Sequence, residues 1–329
     1  MKKLAILIPN GLSALSSLIL TAEIIEKANE YYVAIGKEPV MKALLVGDSK
    51  NKKFTKGPFT IQLDKRIDDT TDIDLIIIPS LGDDLEIAIK RNKKIIDWVI
   101  DKYKNGAEVA SLCTGAFILA AAGLLEGKQC STHWSAADAF RKMFPDINLQ
   151  IEKIITEEHG VYTTGGAISS MNLILHIIEK YYSRETAIYC AKVFEVDLER
   201  NSQSPFIIFS GQKSHNDSQI RKAQLFMEKN ISTKIIVNDL STKFSIDRRN
   251  FDRRFKKATG NTPLEYMQRA KVEAAKRSLE TSRKTIHEVM YEVGYSDVRS
   301  FREVFKKISG VSPVEYRKKF NKNVMHLMC

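Results

Sequence analysis

The chain is poor in cysteine, and the four cysteines it has are scattered. Cys113, Cys130, Cys190 and Cys329 form no C-x-x-C pair and no cysteine–histidine spacing of the kind that binds zinc. Isolated cysteines of this kind are typical of a reducing compartment, where disulfides do not persist. The sequence therefore predicts neither a disulfide framework nor a metal site, and it contains no signal for another cofactor.

Long apolar runs are also absent. No stretch approaches the roughly 18 consecutive apolar residues that suggest a membrane-spanning helix. The opening "MKKLAILIPNGL" does not make a signal peptide, since its apolar run stops at Pro9 and acidic residues follow at Glu23 and Glu26. We expect this opening to form a buried strand, and we expect the protein to work in the cytoplasm without membrane contact.

The basic excess of the chain is confined to its C-terminal third. The whole sequence has a net charge of +11, yet residues 218–329 alone hold 25 lysines and arginines against 12 acidic residues. A basic region attached to a nearly neutral body indicates a polyanionic partner for that region. The mixture of Ser, Asn, Gln, Gly and Pro over 201–217 is typical of a linker. We therefore expect domains at 1–200 and 218–320, with a tail at 321–329.

A twelve-residue motif occurs twice in the basic region. "FKKATGNTPLEY" at 255–266 returns as "FKKISGVSPVEY" at 305–316. Each copy predicts a helix that ends at a glycine in the left-handed conformation, Gly260 or Gly310. A proline-led turn then starts the next helix.

A short helix precedes each copy of the motif. The segments 237–244 and 285–295 have helical patterns, with Asn238 and Thr285 as N-cap residues. Helix, short turn and helix is the helix-turn-helix arrangement. The sequence thus predicts two such units, joined by one helix over 263–281 of roughly 25 Å. A rod of this length can hold two recognition helices about one DNA turn apart.

A helical wheel separates a buried face from an outward face in each copy. Phe251 and Phe255 form one apolar stripe, and Phe301 and Phe305 form the other. Arginine suits the guanine edge, glutamate can accept from cytosine, and lysine at a helix end often contacts phosphate. The candidate DNA-contacting residues are Arg249, Asp252, Arg253, Lys256, Arg299, Arg302, Glu303 and Lys306. The alternative is that these are only solvated helix faces.

The stretch "VGYSDVRSFREVFKKISGVSPVEYRKKF" resembles the DNA-binding domain of AraC/XylS-type transcription regulators, which carries two helix-turn-helix units. The resemblance extends over residues 218–320. It implies an all-α domain that binds double-stranded DNA. It also implies RNA polymerase as a partner if the protein is an activator.

Residues 1–200 alternate between strand and helix patterns. The predicted strands lie at 3–9, 42–47, 74–80, 107–113 and 160–166, and the predicted helices around 19–30, 84–104, 115–125 and 169–182. This alternation predicts a flavodoxin-like, doubly wound α/β domain with a mostly parallel sheet. In "ASLCTGAFILAAAGLLEG" a strand ends at Cys113 and turns sharply into a helix, whose positive end would favour a thiolate.

The motifs "CTGAFILAAAGLLEGKQCSTHW" and "YTTGGAISSMNLILHIIEKYYS" resemble class I glutamine-amidotransferase-like domains of the PfpI type. They are similar to the branch fused to an AraC-type domain, the GlxA-like regulators. In the enzyme branch an acidic residue after strand 1 contacts the cysteine, and a histidine commonly follows the cysteine in the sequence. Ser16 and Thr114 occupy those positions here, which implies a sensing pocket without catalysis. The pocket candidates are Ser16, Gly82, Cys113, Thr114, His133, Thr164 and Gly165.

Three functions are compatible with these sequence features. The first, which we favour, is a transcription regulator whose N-terminal domain binds a small effector and forms a homodimer. The second is a cysteine-dependent amidase or protease that carries a DNA-binding domain. The third is a DNA-binding protein whose N-terminal domain only dimerises. The first is favoured because the sequence has the strand–turn–helix elbow at Cys113 but lacks the acidic residue and the histidine that the enzymes have near the cysteine.

Overall fold

The computed structural model describes residues 1–11, 14–48, 53–82, 84–166, 168–200, 202–233 and 235–321. The chain divides into two compact units, Met1–Gln203 and Ser204–Cys329. The strands of the first unit are β1 Lys2–Ile8, β2 Met41–Gly47, β3 Lys53–Lys56, β4 Phe59–Gln62, β5 Lys65–Arg66, β6 Leu75–Ile78, β7 Glu108–Ser111, β8 Gln129–Cys130, β9 Asn148–Leu149, β10 Ile155–Glu158 and β11 Val161–Thr164. Its helices are α1 Leu15–Ala34, α2 Leu85–Arg91, α3 Lys93–Lys104, α4 Ala116–Ala121, α5 Ala137–Met143, α6 Ser169–Tyr181 and α7 Arg184–Val193.

The main sheet is mostly parallel, as predicted. Its order is β10-β11-β7-β6-β1-β2-β5, and only the β10–β11 pair in it is antiparallel. The five strands expected from the sequence are β1, β2, β6, β7 and β11. The carboxyl ends of β1, β6, β7 and β11 therefore meet at one edge of the sheet, where doubly wound folds bind ligands.

Helices cover both faces of this sheet. Successive residues of β1 belong to the cores on opposite faces of the sheet. Leu4 and Ile6 belong to a core shared with α1, α6 and α7. Ala5 and Leu7 belong to a second core shared with α2, α3 and α4. The doubly wound fold class is therefore confirmed.

One predicted helix of the first unit is broken. The helical pattern over 84–104 is two helices, α2 and α3, which meet at Asn92. The fully buried Asn92 side chain accepts from the backbone N–H of Asn10 and donates to the carbonyls of Asn10 and Ala88. This long-range contact fixes the break, and no local pattern indicates it.

The second unit is all α. Its helices are α8 Ser218–Lys229, α9 Val237–Lys243, α10 Arg248–Thr259, α11 Pro263–Thr281, α12 Ile286–Glu292, α13 Val298–Ser309 and α14 Pro313–Phe320. The helix expected over 263–281 is α11, with the predicted bounds. Two of the described helices, α10 and α13, end at left-handed glycines, Gly260 at φ 72° and Gly310 at φ 77°.

The repeated motif encodes the same construction twice. Thr262 with Glu265 starts α11 with a capping box, and Ser312 with Glu315 starts α14 in the same way. Tyr266 stacks edge-on against Phe255 at 5.3 Å between ring centroids. Tyr316 makes the matching contact with Phe305 at 5.6 Å. The repeat therefore specifies a turn and a core contact that each unit needs.

Helix α11 takes part in two separate cores. Its start contributes Tyr266 to a core with Phe251 and Phe255. Its later turns contribute Val272 and Leu279, among others, to a core with α12, α13 and α14. At 1.5 Å per residue the 19 residues of α11 extend about 28 Å. Helix α11 is thus the shared element of the two helix-turn-helix units.

The short helices that precede the motif differ from each other. Thr285 caps α12 with a capping box, as predicted. The prediction for Asn238 is wrong, because α9 begins at Val237 and its N-cap is Ile236, with no side-chain cap. Packing of Val237 against the core sets this start in place of a cap.

Part of the segment proposed as a linker lies within the second unit. A short 3-10 turn at Ser204–Phe206 begins that unit, and Phe209 packs edge-on against Tyr266 at 5.1 Å. Across both units, no helix of the described ranges is long and apolar enough to cross a bilayer.

Candidate functional site

The outward faces of α10 and α13 carry the predicted DNA-contacting side chains. The four phenylalanines of the apolar stripes are fully buried. Arg249, Arg253, Lys256, Arg299, Arg302, Glu303 and Lys306 are exposed. Asp252 is half-buried and forms an ion pair of 2.9 Å with Arg248. Seven of the eight candidates therefore face solvent on two matched helices.

The two faces hold their charges differently. Arg299 pairs with Glu303 at 3.0 Å across one helical turn, and both side chains are largely exposed. Arg253 donates to Asn250 at 2.9 Å. Exposed pairs of this kind are weak, so they can exchange one partner for another at small cost.

An ion pair that sequence reasoning missed fixes α10 to α8. Arg254 makes two hydrogen bonds to Asp217, at 2.7 and 2.8 Å, and a third to Gln219. Asp217 also caps α8 by accepting from the N–H of Ile220. Arg254 lowers the pKa of Asp217 below its ordinary value. Only the tertiary structure reveals this pair, because the partners are distant in sequence.

The elbow at Cys113 has a strained backbone. Cys113 follows β7 with φ 57°, a left-handed conformation uncommon for a residue with a side chain. A side chain at Gly115 would place its Cβ 2.4 Å from the carbonyl oxygen of Ile78. Strain of this kind is concentrated at functional sites. The elbow thus has the shape expected from the sequence, and Gly115 is a requirement of that shape.

Two other pocket candidates fix the loops around the elbow. The Thr114 hydroxyl donates to the carbonyl of Leu81 at 2.7 Å and accepts from its N–H at 2.8 Å. The N–H of Gly82 donates to the carbonyl of Gly11 at 2.7 Å. The loops that follow β1, β6 and β7 are therefore joined at one edge of the sheet.

Two further pocket candidates, His133 and Gly165, contact residues that the sequence did not indicate. Thr132 donates to the carbonyl of Cys113 at 3.0 Å. A Cβ on Gly166 would lie 3.2 Å from Nε2 of His133, so the ring lies against that glycine. Gln203 packs over Gly165, and its amide donates to Ser131, to the carbonyl of Thr132 and to that of Lys153. Thr132, Gly166 and Gln203 were not among the predicted residues.

Ser16 stands apart from this group. It is exposed in the first turn of α1. Within the described ranges, no hydrogen bond joins it to Cys113. Thr164 is fully buried and donates to the carbonyl of Ser169 at 3.2 Å, at the start of α6.

The expectation that the helix end favours a thiolate at Cys113 is wrong. Burial raises the pKa of this thiol, and hydrogen bonds from Thr114 offset only part of that effect. The helix after the elbow, α4, has only six residues, so its dipole opposes the burial weakly. The same burial lowers the pKa of His133. Both shifts favour the neutral forms, a thiol at Cys113 and an uncharged imidazole at His133.

At the start of α6 and beside Gly165, several buried polar atoms have no hydrogen-bond partner among the residues that the structure describes. They are the hydroxyls of Ser169 and Ser170 in the first turn of α6 and Oε1 of Gln203. All three residues are at most 4 % exposed. Buried polar groups are normally paired, so each of these atoms calls for an explanation.

No candidate lines either of the two cavities described. One, of about 410 Å³, opens beside α1 and β2 and is lined by Ile25, Asn29 and Met41, among others. The other, of about 610 Å³, lies in the second unit along α11. Within the described ranges, no group of three His, Cys, Asp or Glu side chains is arranged to hold a metal ion.

Two family models match the chain. The model for the DJ-1/PfpI family matches residues 2–180, more than half of the sequence. The chain belongs to the DJ-1/PfpI family. A helix-turn-helix domain model matches residues 240–319, which include both copies of the repeated motif. The DJ-1/PfpI domain is thus followed by a helix-turn-helix domain, as the sequence motifs implied.

The curated relatives include regulators and an enzyme. The chain is 24 % identical to the HTH-type transcriptional regulator GbdR of Pseudomonas aeruginosa over 218 residues, which cover 65 % of this chain and 59 % of GbdR. It is 24 % identical to the HTH-type transcriptional regulator GlxA of Rhizobium meliloti over 60 % of each chain. An isonitrile hydratase of Pseudomonas putida is 24 % identical over 36 % of this chain and 49 % of its own length.

A solved structure matches the DJ-1/PfpI part of the fold. It is the crystal structure of a candidate transcriptional regulator from Vibrio parahaemolyticus, with a TM-score of 0.52 and 26 % identity. The match covers 58 % of this chain and 98 % of that one. This match therefore shows that the two proteins share an overall fold over the matched part of the chain.

Proposed function

We propose that this protein is a transcription regulator that binds specific DNA sequences through α10 and α13. The observation that carries the proposal is the pair of matched helices with exposed arginines in the basic unit. The helix-turn-helix match and the regulators among the relatives support it. A protein of this kind works where the DNA is, which favours a cytoplasmic location. RNA polymerase becomes a further partner if the protein activates transcription.

The division of labour between the units is testable with fragments. A fragment of residues 204–329 carries the basic excess and should bind duplex DNA. Its log affinity should fall linearly with log salt concentration, because each neutralised phosphate releases counterions. A fragment of residues 1–203 should not bind. Comparable DNA binding by both fragments would contradict the proposal.

We propose further that the edge of the sheet at Cys113 binds a small polar effector. The unpaired hydroxyls of Ser169 and Ser170 and Oε1 of Gln203 support this, since a ligand or water could pair them. The neutral ring of His133 adds a donor or an acceptor. A homodimer formed through the DJ-1/PfpI domain completes the proposal. The alternative remains a domain that dimerises without sensing.

Ligand screening can distinguish a DJ-1/PfpI domain that binds an effector from one that only dimerises. Thermal unfolding of fragment 1–203 with single small metabolites should reveal a compound that raises the melting temperature. Replacing Ser170 with Ala should weaken that shift, while replacing Ser16 with Ala should not. A screen in which the variant of Ser170 responds like the natural sequence would place the binding elsewhere.

A cysteine-dependent enzyme is the second candidate, favoured by the strained backbone of Cys113 and the isonitrile hydratase relative. The raised pKa of the thiol and the serine at position 16 oppose it. Purified protein can be incubated with glutamine, small amides, peptides, 2-oxoaldehydes and isonitriles. Multiple turnover that is lost in Cys113→Ser would establish the enzyme and overturn our preference.

A further inference from the structure

The first residues of the second unit are held by two buried charged side chains. Glu273 and Lys276 lie on α11 and are 8 % and 3 % exposed. Glu273 accepts from the backbone N–H of Phe209 at 3.1 Å. Lys276 donates to the carbonyl of Ile207 at 2.6 Å. Burial of charge is unfavourable unless it is compensated. Lys276 Nζ lies 3.9 Å from Glu273 Oε2, and the hydrogen bonds to Ile207 and Phe209 add to this compensation.

Residues 204–209, here called the strap, contact both helix-turn-helix units. The 3-10 turn at Ser204–Phe206 lies against α13. Phe206 packs edge-on against Phe320 of α14 at 5.7 Å. The Phe320 ring in turn packs at a tilt against Tyr316, which contacts Phe305 of α13.

The other end of the strap contacts the first of the two helix-turn-helix motifs, which contains α10. Phe209 packs edge-on on Tyr266 at 5.1 Å. Tyr266 contacts Phe255 on the buried side of α10 at 5.3 Å. One short segment therefore supports the buried faces of both helices that carry the exposed arginines.

We propose that the strap positions α10 and α13 relative to each other and thereby sets the sequence specificity of DNA binding. The proposal rests on the proposed function of these helices in reading DNA. Contacts to phosphate tolerate small displacements of a helix, whereas hydrogen bonds to base edges do not. Glu273 and Lys276 are accordingly positioning residues, since they act through the strap. Loss of the strap should reduce specificity more than overall affinity.

The test compares two substitutions of Glu273 in the full-length protein. Glu273→Leu removes the acceptor of the Phe209 N–H, while Glu273→Gln keeps one. The probes are a duplex that the natural protein selects from a random-sequence pool and a scrambled duplex. Glu273→Leu should lower the ratio of the two affinities about tenfold, the size of effect expected when one base-edge contact is lost. Glu273→Gln should keep the ratio, and the affinity for the scrambled duplex should change little in both.

Hydrogen exchange measured without DNA supplies an independent readout. Glu273→Leu should speed exchange of the Phe209 amide and of amides in α10 and α13. If Glu273→Leu fails to fold, Phe209→Leu replaces it, because leucine keeps an apolar side chain. Phe209→Leu should also speed amide exchange in α10. Lys271→Met is the matched control. Lys271 is another buried lysine of α11, but it donates to the carbonyls of Thr233 and Gly294 and not to the strap.

These outcomes separate the two proposals. A pool that yields no enriched sequence would contradict the proposed function, and the strap would then be judged by exchange alone. Unchanged exchange in α10 and α13 when the strap is loosened would overturn the strap proposal. An unchanged affinity ratio beside faster exchange of the Phe209 amide would overturn it as well.

Discussion

Single residues determine the turns of this protein, and the glycines of the second unit illustrate it. Gly260 and Gly294 have nearly the same left-handed backbone, with φ of 72° and 71°. A Cβ on Gly260 would meet nothing within 4 Å. A Cβ on Gly294 would lie 2.4 Å from the carbonyl oxygen of Ser232. The two positions therefore separate backbone strain from crowding.

This pair gives a stability prediction. Gly260→Ala should cost about 1 kcal/mol for the left-handed backbone alone. Gly294→Ala should cost about 1–3 kcal/mol more, because the backbone around Ser232 must shift. Urea unfolding followed by far-UV circular dichroism measures both. Tryptophan fluorescence is an internal control, because Trp98 and Trp134 both lie in the first unit. Equal costs for the two variants would contradict the packing around Gly294.

The chemistry of Cys113 is also a property of one residue and its surroundings. Burial raises the pKa of its thiol, so the thiolate fraction at neutral pH should be lower than in free cysteine. Iodoacetamide should therefore label Cys113 more slowly than free cysteine, with a rate that rises as the pH increases. Mass spectrometry of the peptide that contains Cys113 follows the labelling. Faster labelling than free cysteine at neutral pH would indicate a thiolate and favour the enzyme.

At the scale of elements, local signals predicted the long pieces of the fold and missed contacts between distant residues. The bounds of α11 were predictable because Thr262 and Pro263 form a strong start signal beside a helical pattern. The break between α2 and α3 was not, because Asn10 stabilises it from far away in the chain. The start of α9 was wrongly assigned because core packing overrode the preference of asparagine for caps.

The candidate sites divide in the same way. The outward faces of α10 and α13 follow from helical periodicity alone, which a sequence contains. Thr132, Gly166 and Gln203 come from three separate loops, and only the folded sheet brings them to the elbow. The thiol pKa at Cys113 depends on burial, which the pattern of one strand and one helix does not quantify.

The contact between α8 and α10 gives a pH prediction. Arg254 holds the pKa of Asp217 below its ordinary value of 3.8. Because the folded pKa is lowered, the pair stabilises the fold fully above that ordinary value and less as the pH falls through the lowered one. Arg254→Met should therefore cost about 1–2 kcal/mol at neutral pH. The difference in free energy of unfolding between Arg254→Met and the natural sequence should become smaller as the pH falls below 3.8.

Urea unfolding across this pH range, followed by circular dichroism, tests the prediction. Arg253→Met is the matched control, because Arg253 lies on the same helix and donates only to Asn250 among the described contacts. Its cost should be smaller and independent of pH over this range. A gap for Arg254→Met that widens on acidification would reverse the assigned sign.

At the scale of the whole molecule, the chain joins a nearly neutral DJ-1/PfpI domain to a basic helix-turn-helix domain. The first unit ends at Gln203, whose amide is fixed beside the elbow, and the second begins with the strap at Ser204. The repeated motif explains how one helix, α11, serves two cores. We propose that the two helix-turn-helix motifs read two separate positions on one DNA duplex.

The most direct test measures base preference for single arginine variants of the full-length protein. Arg249→Ala and Arg299→Ala should each weaken binding to the selected duplex about 5- to 150-fold, because each loses contacts to one base edge. Arg249→Lys and Arg299→Lys keep the charge but lose the planar fork, so they should retain more affinity while still losing base preference.

Selection from a random-sequence pool with each variant then locates the affected base. We expect the two alanine variants to relax base preference at different positions, about 10 base pairs apart on the same duplex. Relaxed preference at one shared position, or unchanged preference in both variants, would contradict it.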